Sequence, residues 1–408
     1  MGRNVRRMPA HAHPRNLGFV GEQPAFTLCR MERDRVALRA QHEIVRLCHS
    51  GIDSVQLRRE VMDQVRGVVP AEAYCFPTAD PATLMITGNV GEGLPPEAAP
   101  RFFEVEYSQD DFNKFAELAR RPNPVADLAE ATGGDLARSP RWREVFHPLG
   151  LDDDLRAALV ADGTCWGFLA LHREGARGSF TADEARFVSR LAPHLAEGLR
   201  LSLLIEATAT EDAGDGPGLI LLDDALAVTA STAAADRWLA EVGGHERPDI
   251  GLLPAAVYAV AARLRALEQT GSPDPELLPR SRLRTRSGRW LIAHAARLAD
   301  ASGGNAIAVI LEPAQPAEIA PVIVRAYNLT ERERDVVQQV IRGLSTNEIA
   351  ELLCISANTV QDHLKSIFEK VAVRSRRELV SKVWAQQYWP RVASRAPLDA
   401  HGAFREQL

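Results

Sequence analysis

Apolar positions recur at helical spacing through Val36, Leu38, Ile44, Val45 and Leu47, and again through Val55, Leu57, Val61, Met62 and Val65, which predicts helices over 31–48 and 53–69. The texture then changes. Short apolar runs at 73–77 and 83–87, split by a Pro-Thr-Ala-Asp-Pro turn, read as two strands. A Gly/Pro-rich loop over 88–100 precedes a helical stretch at 102–120, and 121–149 is long, polar and broken by Thr132-Gly133-Gly134 and Ser139-Pro140. Two further strands, 155–160 and 166–172, flank the turn Asp162-Gly163-Thr164. A strong helix follows, opened by Thr181 with Glu184 three residues on, and lined by Phe187, Val188, Leu191, Leu195, Leu199 and Leu203. After a polar stretch at 206–218 come strands at 218–222 and 226–229, helices at 233–242 and 253–269, a hairpin about Ser287-Gly288, and a last strand at 307–311. Residues 312–321 carry three prolines and read as a semi-rigid linker.

The last periodic block reads as helix, tight turn, helix. Ser345 and Glu348 form a capping-box pair, and Ile349, Ala350 and Leu353 make one apolar stripe. Ser356 and Asn358 break the run. In the next helix Val360, Leu364, Ile367, Phe368 and Val371 share one face, while Gln361, Asp362, Lys365 and Glu369 take the other. Two short helices packed this way, the second exposing a polar face, outline a helix-turn-helix. Thr330 with Glu333 and Ser375 with Glu378 repeat the capping signature, and Gly343 can end the preceding helix in the left-handed conformation.

Three resemblances rest on these residues. Leu329-Thr330-Glu331-Arg332-Glu333-Arg334-Asp335-Val336, Gly343-Leu344-Ser345, Glu348-Ile349-Ala350, Ile355-Ser356, Thr359-Val360 and His363-Leu364 together resemble the LuxR/NarL class of helix-turn-helix regulators. The strand Gly167-Phe168-Leu169-Ala170-Leu171-His172, a charged loop, and Phe180-Thr181-Ala182-Asp183-Glu184 opening a long helix are similar to the end of a GAF domain, over about residues 36–206. The order strand, strand, helices, three strands over about 216–312 is similar to a PAS domain.

The expected fold class is therefore multidomain α+β: GAF-like and PAS-like antiparallel sheets with helices, then an all-α four-helix LuxR-type module. The expected divisions are a disordered basic tail at 1–30, a GAF-like domain at 31–206, a linker at 207–217, a PAS-like domain at 218–312, a linker at 313–322, the DNA-binding module at 323–390 and a flexible tail at 391–408. No sequence repeat is visible.

Charge sharpens the picture. The chain of 408 residues has a net charge of −6, which disfavours nucleic-acid contact over the whole surface. Between Arg325 and Val383, ten Lys and Arg stand against eight Asp and Glu, so this piece is +2 and the rest −8. Three of the four lysines, Lys365, Lys370 and Lys382, fall in it. Composition, 46% apolar and 25% charged, is ordinary for a soluble globular protein. No apolar run approaches the roughly 20 residues that span a bilayer, and the basic start has no apolar signal segment. A cytoplasmic protein without membrane association is expected. The scattered cysteines, Cys29, Cys48, Cys75, Cys165 and Cys354, lack any zinc spacing and read as buried free thiols.

Phosphate anchors are expected at Lys365, Arg374, Arg376 and Arg377, with Asn358, Thr359 and the helix N-terminal amides beside them. Base readout is expected from the start of the second helix, at Val360, Gln361 and Asp362. The family usually carries Lys or Arg just after the Thr-Val pair. Gln361 here can pair with an adenine edge and Asp362 can accept from a cytosine amine, so readout remains open, but the helix carries fewer cations than usual and non-specific affinity should be low. His363 reads as a packing residue, and Asp152-Asp153-Asp154 as a solvated turn. No P-loop, nucleophile elbow, HExxH motif or metal cluster is present, and no cofactor is identified.

The resemblances imply a transcription factor bound to double-stranded DNA as a homodimer, with a small-molecule effector and RNA polymerase contact. The stripe Val188, Leu191, Leu195 and Leu199 can pack on its own sheet or on a partner subunit, and Leu379, Val380, Val383 and Trp384 offer a second dimer surface. A signalling scaffold that does not bind DNA, and an enzyme, are the alternatives.

Overall fold

The computed structural model describes residues 24–204, 216–242, 253–270, 278–299, 305–314, 316–380 and 382. The expected tail beyond 390 and most of the linker at 207–217 lie outside these residues, as does the tail up to residue 23.

Helices α1 (Pro24–Cys48) and α2 (Ser54–Arg66) lead into the first sheet. Asp53 caps α2, accepting from the Val55 and Gln56 amides at 2.9 and 3.1 Å. Residues 24–30, expected in the tail, begin α1 instead. The sheet comprises β1 (Ala73–Ala79), β2 (Ile86–Glu92), β3 (Val125–Asp127), β4 (Leu151–Ala161) and β5 (Thr164–Glu174), all antiparallel, in the order β2-β1-β5-β4-β3. Strand β2 starts three residues later than the apolar run suggests. The Asp80 carboxylate accepts from the Ala82 amide at 2.9 Å and the Asp80 carbonyl from the Leu84 amide at 2.8 Å, which prolongs the turn.

The expected helix at 102–120 is two helices, α3 (Ala99–Ser108) and α4 (Phe115–Leu118). The break follows from buried charge. Glu106 accepts the Phe115 amide at 2.8 Å, and Asp111 is drawn to Arg141 at 2.8 Å, so the segment between the helices loops inward. The polar stretch after it contains β3, the short helix α5 (Leu128–Thr132) and a π turn at Trp142–Phe146. Helix α6 (Ala182–Leu204) closes the first unit. The Thr181 hydroxyl and the Glu184 carboxylate bond to each other's backbone amides at 3.3 and 2.7 Å, as the capping signature predicts. Val188, Leu191, Leu195 and Leu199 are buried on the unit's own sheet, together with α1 and α2.

The second sheet comprises β6 (Gly218–Leu222), β7 (Val228–Ser231), β8 (Arg280–Arg284), β9 (Trp290–Ala299) and β10 (Asn305–Pro313), in the order β7-β6-β10-β9-β8. This repeats the strand order of the first sheet, although the sequence shows no repeat. Helices α7 (Ala233–Val242) and α8 (Ala255–Thr270) fall between its second and third strands, the expected element order. Ala256 through Ala262 are all buried, so α8 is covered on every side. One side lies on the second sheet and another on α3, where Tyr258 stacks on Phe103 at 5.9 Å and Arg265 pairs with Glu104 at 3.3 Å. The two sheet units therefore share a core.

The proline-rich stretch read as a linker is largely a helix, α9 (Pro316–Ala326). Pro316 suits a first helical position, where its missing N–H is not needed. Ile319, Ile323 and Tyr327, four residues apart, join the C-terminal core, while Val322 and Ala326 join the core beneath α6. Three further helices, α10 (Glu331–Ile341), α11 (Thr346–Leu352) and α12 (Ala357–Val371), and a helical stretch at 376–380 complete the C-terminal module.

Candidate nucleic-acid interface

The C-terminal module is built on satisfied helix ends. The Ser345 hydroxyl accepts the Glu348 amide at 3.3 Å and the Glu348 carboxylate accepts the Ser345 amide at 2.6 Å. Thr330 and Glu333 do the same for α10, at 3.3 and 2.7 Å. The third box is half formed. Ser375 accepts the Glu378 amide at 3.1 Å, but the Glu378 carboxylate takes the Arg374 amide at 2.7 Å. Gly343, at φ +86°, lets the Gly343 and Leu344 amides turn back to the Val340 and Gln339 carbonyls. Ser356 caps α12 through the Thr359 amide at 3.0 Å.

These ends fix which face of α12 is presented. Val360, Leu364, Ile367 and Val371 enter a core with Val336, Val337, Val340, Ile349 and Ala350. Asn358, Gln361, Asp362, Lys365 and Glu369 are exposed in a single stripe at helical spacing. Arg374 and Arg377 are exposed beyond it. Not every expected residue shares that face. Val360 is 0% exposed, so its side chain packs the helix and is not on the exposed stripe. Thr359 is half-buried, its hydroxyl 2.8 Å from that of Ser356. Arg376 is half-buried and donates to the Leu344 carbonyl, clamping the turn before α11. His363 is half-buried.

Residues 327–383 match the family model for bacterial regulatory proteins of the luxR family. They form a LuxR-type helix-turn-helix domain. Over 57 residues the chain is 47% identical to the CsgBAC operon transcriptional regulatory protein of Escherichia coli (strain K12), covering 14% of this chain and 26% of that protein. Over 48 residues it is 48% identical to the nitrate/nitrite response regulator protein NarP of the same organism, covering 12% and 22%. The chain thus spans about a quarter of the length of these curated relatives. Among solved structures it is similar to the GAF domain of a phosphoenolpyruvate-protein phosphotransferase from Coxiella burnetii, at 18% identity over 40% of this chain and 92% of that one, with a TM-score of 0.30.

Within the LuxR-type domain the Glu333 carboxylate is buried. Glu333 pairs with Lys370 at 2.7 Å and accepts from Ser366 at 2.6 Å, tying α10 to α12. Burial pushes its carboxyl up, but the bonds from Lys370, Ser366 and Thr330 outweigh this and hold it down at about 2. A depressed carboxyl stabilises the fold above its unfolded value of 4.5, and that contribution fades as pH falls towards 2. Glu333→Gln should cost about 1–3 kcal/mol near neutrality. The gap between variant and wild type, read by urea denaturation, should narrow as pH falls through this window. A pH-independent gap would contradict the assignment. Lys370, counted among the basic residues, is thus engaged in structure.

The domain is held to the rest of the chain through α9. Arg200 on α6 donates to the Ala326 carbonyl, Arg280 pairs with Glu318, and Arg282 donates to the Glu318 carbonyl at 2.6 Å. The exposed stripe of α12 stays clear of both sheet units.

Other candidates resolve differently from expectation. Asp153 and Asp154 are not in a solvated turn. They lie in β4 and are buried, where Asp154 accepts from Arg141 at 3.1 Å and Arg156 at 2.9 Å. Cys48 and Cys165 are buried free thiols as expected, and burial pushes both up to about 12. Cys354 is instead exposed, in the turn between α11 and α12. Of the second apolar set, Leu379 is buried in the domain core and Val380 is half-buried against it, while Val383 and Trp384 lie outside the described residues. Among the described residues no cluster of His, Cys, Asp and Glu could hold a metal, and no helix is long and apolar enough to cross a membrane.

Proposed function

We propose that the chain is a DNA-binding transcriptional regulator whose two sheet units modulate a C-terminal LuxR-type domain. The observation that carries this is the exposed polar stripe of α12 on a domain whose core also takes Ile319 and Ile323 from a helix packed into the sheet units. Because the stripe is uncovered, control acts through the placement of the domain, not by masking its reading face. Within the 31–206 and 218–312 divisions, the shared α8 core favours one composite sensory body.

The anchors are few. Lys365, Arg374 and Arg377 are exposed and in no ion pair among the described residues, while Lys370 and Arg376 are engaged. Three cations give modest affinity per domain, which favours a homodimer spanning two half-sites about 34 Å apart. The α6 stripe is used up within its own unit, so that stripe is not the dimer surface proposed.

The test is a titration of the full chain against duplex fragments of its own genome at several salt concentrations. Binding should weaken steeply with salt. Lys365→Ala should weaken it about three- to tenfold on every sequence and reduce the salt slope by about one per domain. Absent binding, or binding insensitive to both salt and the substitution, would overturn the reading in favour of a signalling scaffold.

A further inference from the structure

A cleft of about 730 Å³ opens where the two sheet units meet α9. Its walls come from the start of α2, the β1–β2 turn, the end of α6, the β8–β9 hairpin and Val322 of α9. The volume falls in the range of small-molecule sites, and such sites favour junctions between units.

The lining combines unsatisfied polar atoms with apolar walls. Trp166 is 2% exposed, and its indole Nε1 finds no partner in the protein. The Ser54 hydroxyl and the Asn89 amide oxygen, on the same cleft, find none either. Arg58 is 4% exposed and donates to the Ser54 and Phe76 carbonyls at 3.0 and 2.7 Å. No described carboxylate forms an ion pair with it, and burial pushes its guanidinium down to about 10. The acids that line the cleft are committed elsewhere. Asp53 caps α2, Asp80 pairs with Arg282 at 3.1 Å, and Glu60 accepts from Gln56 at 2.7 Å. The nearby Asp53 carboxylate favours the charge only partly against burial, and a buried cation without a directly paired anion is costly unless something supplies one. Beside it stand an indole N–H and a hydroxyl, both able to donate. Leu199, Leu203, Leu283 and Trp290 supply apolar wall.

We infer that this cleft binds a small amphipathic carboxylate, with its carboxylate on Arg58 and Trp166 and its apolar body against α6 and the β8–β9 hairpin, and that occupancy repositions α9. Arg59, Arg282, Arg284 and Arg286 also line the cleft, but Arg59 is exposed, Arg282 pairs with Asp80, and Arg284 and Arg286 donate to backbone carbonyls, so the buried Arg58 with its neutral donors suits a monoanion better than a doubly charged phosphate. The regulatory half rests on the function proposed above. Arg284 donates from β8 to the Leu203 carbonyl at 2.9 Å, and Val322 lies on the cleft wall, so a ligand here touches α6 and β8, the elements that hold α9 to the sheet units.

The experiment uses the full chain without DNA, so it stands or falls apart from DNA recognition. Calorimetric titrations compare phenylbutyrate, phenylbutanol and inorganic phosphate, and hydrogen exchange follows residues 316–326. Phenylbutyrate should bind at least about tenfold more tightly than the other two. Arg58→Met should lose about ten- to a hundredfold of that affinity, and Ala255→Trp, which fills the cleft, should also lose it. The second variant keeps the test sharp if the first does not fold. Exchange at 316–326 should slow on binding. Equal binding of the alcohol, binding undiminished by Ala255→Trp, or no phenylbutyrate binding would overturn the site. Binding with unchanged exchange would overturn the coupling to α9. A parallel DNA titration without probe reads the proposed function separately.

Discussion

Arg156→Ala should destabilise the first sheet unit by about 3–5 kcal/mol. Arg156 lies in β4 with no exposed surface. Its Nε donates to Asp154 at 2.9 Å and its Nη1 to Glu106 at 2.7 Å, and the guanidinium stacks 4.3 Å from the Phe115 ring. Arg141, equally buried, bridges the same Asp154 to Asp111. Two arginines thus hold three buried carboxylates. Burial pushes the Asp154 carboxyl up, but Arg156 and Arg141 outweigh it and hold it below the usual range. His172, 3.5 Å from Asp154, is pushed down to about 4 by burial and stays neutral. Removing Arg156 strands Glu106 without its cation and leaves Asp154 to Arg141 alone, which costs more than the pair contributes. Urea denaturation reads the loss. Adding Glu106→Gln should recover part of it, since the two groups are coupled. A loss under about 1 kcal/mol would show that water or rearrangement satisfies the carboxylates.

This cluster also marks where the sequence was hard to read. Three successive aspartates resemble a solvated turn because charge usually stays outside. The available signal was Asp154 and Arg156 two residues apart, hence on one face of a strand, in a run otherwise apolar on both faces. Likewise, Pro313, Pro316 and Pro321 masked α9, although Ile319, Val322, Ile323 and Ala326 follow helical spacing. The LuxR-type domain was legible because its helix starts are written locally, in cap residues and apolar stripes. The shared core around α8 was not, since no local pattern tells an alanine-rich surface helix from one packed on two sides. The composition of the exposed stripe on α12 could be read directly. That Val360 is core and Arg376 a clamp required the packing.

The second large effect concerns sequence choice. Asn358, Gln361, Asp362, Lys365 and Glu369 form one exposed stripe, and in a major groove its start would face base edges. Gln361 would pair with adenine there, while an arginine at the same place would pair with guanine N7 and O6. Each such pair discriminates by about 1–3 kcal/mol, or roughly 5- to 150-fold. Gln361→Arg also adds a cation to a helix whose exposed Lys365 is offset by Asp362 and Glu369, so affinity for all duplexes should rise.

The most direct measurement is selection from a randomised duplex pool, under excess competitor, with the wild-type full chain and the Gln361→Arg variant in parallel. An enriched motif is expected for each, differing at one base position per half-site, with guanine gained in the variant. The same motif from both proteins, or no enrichment from either, would contradict the claim that α12 reads DNA.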